Sequence, residues 1–288
     1  MRKIGLTLAL VVLGALASSA QESKPLLMQN PTMSKTQIAF AYGGEIWIVD
    51  RNGGDAKRLI TGTGIESGPV FSPDGSMVAY TGNYDGNEDV YVVSAAGGEP
   101  RRLTYHPSSD VALGWTPDGK RILFRSTRNS YSRFERLFTV SVDGGFPTEL
   151  PLPMGVEASF SADASQIAYV PRWNRRLGAA PNYIAIQHYR GGQTAPIWIA
   201  NLSDSSIVKV PRDNSNDFNP MWIGGKIYFL SDREGAVSLF DRSRAHLGDN
   251  RDPNMNHFIR EPGHIEYASR LGLGIYDSSK IQEREIEV

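Results

Sequence analysis

Cysteine is absent from the 288-residue chain. The chain therefore has no disulfide, no thiolate metal site, no cysteine nucleophile and no lipid-modified amino-terminal cysteine. Neither sign of charge is in large excess, because 30 basic residues balance 31 acidic ones and the formal net charge is −1. A nucleic-acid partner usually needs a strongly basic face, so this balance argues against one. Stability must come from buried apolar area, and a chain of this length can bury a large core.

Long apolar runs are missing except at the amino terminus. Arg2 and Lys3 precede an apolar stretch at 4–16, and small residues at 18–20 provide a cleavage pattern, as is typical of a secretory signal peptide spanning 1–20. An uncleaved anchor is the alternative, but a helix of that length covers only about 20 Å of a hydrocarbon core about 30 Å thick. We expect an exported protein, periplasmic or extracellular, that has no membrane contact after cleavage.

Catalytic signatures are also lacking. The sequence has no Gly-x-Ser-x-Gly motif and no His-Glu-x-x-His motif, and its five histidines show no spacing typical of a triad or a metal site. We therefore predict no catalytic residue, no metal ligand and no cofactor-binding residue in this chain.

What the sequence does contain is a repeat. Asp74 and Asp118 are 44 residues apart, and Asp118 and Asp163 are 45 apart. Each unit holds short runs of β-branched and aromatic residues, and Asp-Gly or Gly-Gly pairs separate many of these runs. Such runs form strands, and glycine suits the tight hairpin turns between them. Four strands in a unit of this length is the period of a β-propeller blade.

We predict an all-β chain, a β-propeller of about six four-stranded blades, of which the last one or two need not be complete. The predicted blades are 26–62, 66–106, 111–152, 156–212, 216–261 and 262–288. One such sheet cannot bury both faces alone, so neighbouring sheets must stack around an axis. The aromatic residue that opens a unit is expected to pack between blades, the alternative being a ligand-stacking platform. These aromatic residues are Phe71, Trp115, Phe160 and Trp222.

Two segments depart from the repeat. Phe160 and Trp222 are 62 residues apart, which places an insertion in the fourth unit, and insertions in repeat proteins form loops that often bind partners. Its basic and aromatic side chains suit an anionic or carboxylate-bearing partner, the alternative being a solvated loop. The candidate peptide- or partner-contact residues are Arg172, Trp173, Arg175, Arg176, Tyr189 and Arg190. The second segment, 241–261, is polar and without alternation, so we expect it to be irregular or disordered.

Several stretches are more distinctive than a generic blade. They include Tyr189-Arg190-Gly191-Gly192 and Asn219-Pro220-Met221-Trp222, together with the sequences at 26–31, 84–92 and 97–104. Together they resemble the amino-terminal six-bladed propeller of the tricorn protease family, including its bacterial homologues. The resemblance covers 26–240 and returns more weakly at 262–288.

In that family the propeller precedes a PDZ-like module and a serine-protease domain. The resemblance implies a non-catalytic gate or assembly scaffold for oligopeptide degradation by an exported serine peptidase. Because the sequence ends at Val288, we expect no catalytic serine, histidine or acid in it. The implied partners are oligopeptides, a protease domain or other subunits, and a homo-oligomer is an open alternative. Two other functions are open: a free-standing periplasmic interaction propeller like TolB, and an enzyme with its site at the propeller axis or on one face.

Overall fold

The computed structural model describes residues 28–131, 134–172, 194–212, 214–234 and 236–241. Within these ranges the ordered secondary structure is entirely β. A helix of membrane-spanning length and hydropathy does not occur in them. The strands, in chain order, are β1 (Gln29–Met33), β2 (Gln37–Tyr42), β3 (Glu45–Asp50), β4 (Lys57–Arg58), β5 (Ile65–Phe71), β6 (Met77–Asn83), β7 (Glu88–Ser94), β8 (Arg101–Arg102), β9 (Asp110–Trp115), β10 (Arg121–Ser126), β11 (Arg136–Ser141), β12 (Thr148–Glu149), β13 (Glu157–Phe160), β14 (Gln166–Val170), β15 (Trp198–Asn201), β16 (Ile207–Lys209), β17 (Asp217–Ile223), β18 (Lys226–Glu234) and β19 (Ala236–Asp241).

The strands form five sheets, each a meander in which consecutive strands pair antiparallel. Blades 1 to 4 have four strands each, namely β1–β4, β5–β8, β9–β12 and β13–β16, and blade 5 has β17, β18 and β19. The first strand of each blade is called the innermost strand and the fourth the outermost. The structure therefore describes five blades where the repeat predicts about six. The sixth predicted blade, 262–288, lies outside the described residues, as does all of 241–261 except Asp241, which ends β19.

Sequence-encoded turns connect the first and second strands. Gly75 and Gly119 have φ values of 76° and 68°, in the left-handed region where glycine carries no Cβ penalty. Asp74 fixes the first of these turns, because its carboxylate accepts hydrogen bonds from the Ser72 hydroxyl (2.5 Å) and from the Ser76 backbone N–H (3.0 Å). The Asp-Gly hairpins predicted at 74–75 and 118–119 are confirmed.

Neighbouring blades pack face to face, and each of four hydrophobic clusters contains residues of two adjacent blades. Phe71, Trp115 and Phe160 are buried in these clusters, and the partly buried Trp222 packs against the cluster between blades 4 and 5. The indole Nε1–H of Trp115 also donates to the backbone oxygen of Val70 in the preceding blade, at 2.9 Å. The predicted packing of these aromatic residues between blades is confirmed.

The innermost strands of blades 1, 2 and 5 each contain a bulge next to a proline. Asn30, Gly68 and Asn219 each adopt a left-handed conformation, each precedes a proline, and each lies within a break in strand register. A bulge of this kind re-aims backbone groups. The N–H of Trp222, three residues after Asn219, donates to the hydroxyl of Ser159 in blade 4 at 2.9 Å. The bulged strands therefore hydrogen-bond across blades as well as packing.

Candidate functional site

The two ends of the propeller carry different connections. Because each blade is a meander, the connections from second to third strand and from blade to blade lie at the same end. The insertion lies between β14 and β15, which is a second-to-third connection. We call this end the insertion face. Of the predicted contact residues, Arg172 is described and is exposed at this face, directly after β14.

The other five candidates, Trp173, Arg175, Arg176, Tyr189 and Arg190, lie outside the described residues. The structure therefore does not test whether the six side chains come together.

The described part of the insertion face contains a recurring buried acid that the sequence analysis did not identify. Blades 2, 3 and 5 each bury a carboxylate near the start of the innermost strand, at the insertion-face end. In each blade the acid faces a small residue of the second strand. The pairs are Glu66 with Gly82, Asp110 with Ser126, and Asp217 with Ser231.

In blade 3 the acid is paired with an arginine two residues beyond the small residue. Arg128 forms an ion pair with Asp110, and its guanidinium carbon lies 5.2 Å and 5.5 Å from the ring centroids of Phe124 and Phe138. The arginine thus covers a stacked aromatic pair, with centroids 5.5 Å apart, while its charge is neutralised. Burial raises the pKa of Asp110, although Ser126 and Arg128 act in the opposite direction.

Blade 5 repeats this arrangement. Asp217 accepts hydrogen bonds from Ser231 (2.6 Å) and Ser215 (2.7 Å), and it forms an ion pair with Arg233 at 3.2 Å. The guanidinium carbon of Arg233 lies 4.9 Å from the ring centroids of both aromatic residues beneath it. These two residues are Phe229 and Phe240. We call this set of a buried acid, a facing small residue and an arginine over two aromatic rings the polar cap. It occurs in blades 3 and 5 at the same face.

Blade 2 uses a tyrosine in place of the arginine. The Tyr84 hydroxyl donates to Glu66 Oε1 at 2.8 Å and lies 3.0 Å from the Tyr80 hydroxyl. Glu66 also joins two blades, because its Oε2 accepts from the backbone N–H of Ile46 at 3.0 Å and its own N–H donates to the Gly44 oxygen at 2.8 Å. This acid therefore fixes the β2–β3 hairpin of blade 1 against blade 2.

Blade 4, which carries the insertion, departs from the pattern. Glu157 is opposite Val170 in the antiparallel pair, so the next position places Val156 opposite Pro171. Val156 occupies the position of the acid, and Pro171 occupies the position of the small residue. The Tyr169 hydroxyl beneath them is buried and has no hydrogen-bond partner among the described residues, and burial raises its pKa to about 12. The polar cap is thus replaced in the blade whose loop is longest.

A hydrogen-bonded arginine lies where the insertion ends. Arg212 donates to the hydroxyl of Thr194 at 2.8 Å and to the backbone oxygens of Ala195 (3.4 Å) and Ser215. Burial lowers the pKa of this guanidinium, while Asp217 nearby favours its charged form. Arg212 therefore links the carboxyl-terminal end of the insertion, by hydrogen bonds, to the connection between blades 4 and 5.

Two exposed tyrosines add an open surface to the insertion face. Tyr105 lies between blades 2 and 3, and Tyr131 lies in the β10–β11 connection. The guanidinium carbon of Arg102 lies 4.8 Å from the Tyr105 ring centroid, and its Nη2 is 2.6 Å from the buried Asp89. The exposed Tyr105 ring beside a fixed cation is suited to contact with a peptide.

The buried carboxylates of the described face bind side chains or backbone groups of the protein itself, which holds this face in shape. Among the described residues, a group of three or more His, Cys, Asp and Glu side chains able to hold a metal ion does not occur. A sequence signal for the caps existed: Phe124-x-Ser126-x-Arg128 returns as Phe229-x-Ser231-x-Arg233.

Glu66 makes stability depend on pH in a defined direction. Desolvation raises its pKa above 4.5, more than Tyr84 and the Ile46 N–H lower it. A raised carboxyl pKa contributes stability that is complete below the unfolded pKa and is lost as pH rises through the folded pKa. We expect Glu66→Gln to gain stability relative to wild type as pH rises from about 4 to 7. Urea titrations at each pH measure this difference.

The control for Glu66 is Glu99→Gln, at an exposed position. The change in stability with pH should be larger for Glu66→Gln than for this control. A Glu66→Gln difference that stayed flat or ran the other way would contradict the assignment of burial as the dominant cause.

The chain is similar to proteins of a known family. Residues 25–280 match the family described as the tricorn protease N-terminal beta propeller domain. Tricorn protease homolog 1 of Streptomyces coelicolor is 31% identical over 229 residues, which are 76% of this chain and 20% of that protein. The tricorn protease of Thermoplasma acidophilum is 27% identical over 230 residues, 75% of this chain and 20% of that protein.

Solved structures show the same fold. The crystal structure of the tricorn protease superposes with a TM-score of 0.62 at 22% identity, covering 76% of this chain and 21% of that one. A putative TolB from Agrobacterium tumefaciens gives 0.59 at 21% identity, covering 76% and 78%. This chain spans about a fifth of the length of the tricorn relatives it matches. The chain belongs to the family of tricorn protease N-terminal β-propeller domains.

Proposed function

We propose that this chain is the non-catalytic propeller region of an exported, tricorn-like serine peptidase, where it acts as a gate or scaffold for oligopeptides. The observation that carries the proposal is the family match over 25–280, which includes the propeller and no catalytic domain. A fold by itself does not define a function, so the role is argued from the insertion face. That face combines a fixed polar framework with an insertion rich in arginine and aromatic residues.

A shorter relative whose name is that of a separate subunit supports a role as a separate part. The chain is 22% identical over 171 residues to a putative tricorn-like protease N-terminal subunit of Sulfurisphaera tokodaii, covering 56% of this chain and 87% of that protein. A propeller that acts as such a subunit needs a catalytic partner. We therefore propose a protease domain or subunit as the protein partner.

Export is part of the proposal and rests on the amino-terminal sequence. The charged start, apolar stretch and small-residue cleavage pattern at 1–20 are those of a signal peptide. An exported propeller would meet oligopeptides in the periplasm or outside the cell, where the absence of cysteine leaves it insensitive to thiol oxidation.

The proposed peptide contact is electrostatic. Arginine binds carboxylates through two parallel hydrogen bonds, and aromatic rings add contact area at low entropy cost. The carboxyl terminus of an oligopeptide offers such a group. We propose that Arg172, Arg175, Arg176 and Arg190 hold it, with Trp173 and Tyr189 beside it.

Fluorescent oligopeptides with a free or an amidated carboxyl terminus test this contact. We expect the free form to bind at least about 10-fold more tightly, since a charge-assisted contact contributes roughly 1.5–3 kcal/mol. Changing Arg172, Arg175, Arg176 and Arg190 to glutamine should abolish the difference. The anisotropy of the labelled peptide is the measurement.

The matched control changes two exposed lysines at the opposite end, Lys35→Gln and Lys120→Gln, and should keep the difference. Equal binding of the two peptide forms by wild type would overturn the carboxylate contact. Reproducible hydrolysis of oligopeptides that co-purifies with the chain would overturn the non-catalytic role.

A further inference from the structure

The outermost strand of blade 4 differs from those of the other four-stranded blades. β4, β8 and β12 have two residues each, and charged residues occupy most of their positions. β16 has three residues, Ile207, Val208 and Lys209, and all three are exposed. Charged side chains on an edge strand discourage pairing with another sheet, whereas exposed apolar ones invite it.

The charges on the other edges are also engaged locally. Arg58 of β4 pairs with Glu45, Arg102 of β8 with Asp89, and Glu149 of β12 with Arg136. These ion pairs keep the charged side chains near the edge strands that carry them. On β16 the single charged side chain lies over the adjacent strand instead, because Lys209 Nζ is 5.3 Å from the ring centroid of Trp198.

The backbone of β16 presents a regular set of outward groups. Val208 is opposite Ile199, and the hydrogen bonds Asn201 N–H to Ser206 oxygen (2.9 Å) and Val210 N–H to Ile197 oxygen (3.0 Å) flank that pair. Residues 206, 208 and 210 therefore bond inward to β15. In an antiparallel ladder the alternate residues point the other way. Ile207 and Lys209 thus direct their N–H and C=O groups to the free edge.

We propose that β16 pairs antiparallel with β16 of a second copy of this chain, about a two-fold axis through Val208. Ile207 of each copy then lies opposite Lys209 of the other, and the two pairs exchange four backbone hydrogen bonds. Val208 faces its own counterpart in the pair type that brings side chains closest. This interface does not depend on the proposed peptide function.

A second copy is the occupant that the pattern itself specifies. The outward groups at 207 and 209 are symmetric about 208, so the strand is complementary to itself, as a two-fold interface requires. Three residues a side bury far less than the roughly 1,200 Å² of a stable interface, so the association is weak and concentration-dependent. Among the described residues, the outermost strands of blades 1 to 3 do not offer a comparable edge.

Sedimentation velocity of the full chain over a wide concentration range tests the pairing. Wild type is expected to shift from monomer to dimer with concentration. Val208→Lys and Val208→Glu each place like charges across the axis and should weaken the dimer about 10-fold or more. An equimolar mixture of the two variants should recover association, since opposite charges then meet. This recovery also shows that both variants are folded.

The control is Lys57→Glu on the edge of β4, which should dimerise like wild type. Ile207→Pro removes one outward N–H without touching the inward bonds of Val208, and it should weaken the dimer. A wild type that stays monomeric at all concentrations would overturn the interface. Variants at 208 that all associate as wild type does, or a mixture that shows no recovery, would overturn it as well.

Discussion

Asp110→Ala is expected to lower the free energy of unfolding by about 3–5 kcal/mol. Asp110 is fully buried and is the ion-pair partner of Arg128, whose side chain is only 10% exposed. Removing the acid leaves a guanidinium enclosed over Phe124 and Phe138 with no opposite charge. Urea denaturation followed by tryptophan fluorescence measures the loss.

Two comparisons separate this effect from a general effect of losing an ion pair. Asp85→Ala removes an acid that is 74% exposed and pairs with Arg102 at 3.2 Å, so its cost should be at most about 1 kcal/mol. Asp110→Ala combined with Arg128→Met removes both charges and should recover much of the loss. Equal costs for Asp110→Ala and Asp85→Ala would show that the cap contributes no more than a surface pair.

The caps explain how one face of a cysteine-free propeller keeps its shape. In blades 2, 3 and 5 the buried acid lies where the chain enters the first strand of the blade. Asp110 and Asp217 form ion pairs with arginines of their own blades, and Glu66 also bonds to the preceding blade. Hydrogen-bonded networks of this kind specify one arrangement of loops more strongly than apolar contacts do.

Much of the architecture followed from local sequence. The turn at Asp74 and Gly75 is fixed by a carboxylate and a glycine within a few residues, so its position could be predicted. Trp115 and Phe160 open successive units, and recurrence at each unit is what packing between blades demands. Local chemistry and periodicity were sufficient for these features.

The caps could not be predicted from spacing alone, because each joins residues on different strands. Asp110 and Ser126 are 16 residues apart, whereas Asp217 and Ser231 are 14 apart. The separation changes with hairpin length, which hides the pairing from a search at one fixed period. The insertion after Arg172 departs from the fixed period in the same way, since it makes one unit longer. The contact residues proposed in that insertion stay a prediction.

Trp115→Ala is expected to cost about 3–5 kcal/mol, because it opens a cavity between blades 2 and 3. Trp115 is 8% exposed and packs in a cluster with residues of both blades. Trp115→Phe keeps most of the ring and loses the hydrogen bond to the Val70 oxygen, which should cost about 1–3 kcal/mol. Thermal and urea unfolding of the two variants measure the difference.

Phe146→Ala is the control for these variants, since the Phe146 side chain is almost fully exposed. It should change stability by no more than about 0.5 kcal/mol. If adjacent blades fold independently, Trp115→Ala would instead leave the unfolding midpoint near that of the control. The relative stabilities of the three variants therefore measure how far the stability of the protein depends on contacts between blades. Such contacts are needed because a single sheet of the repeat cannot bury both of its faces.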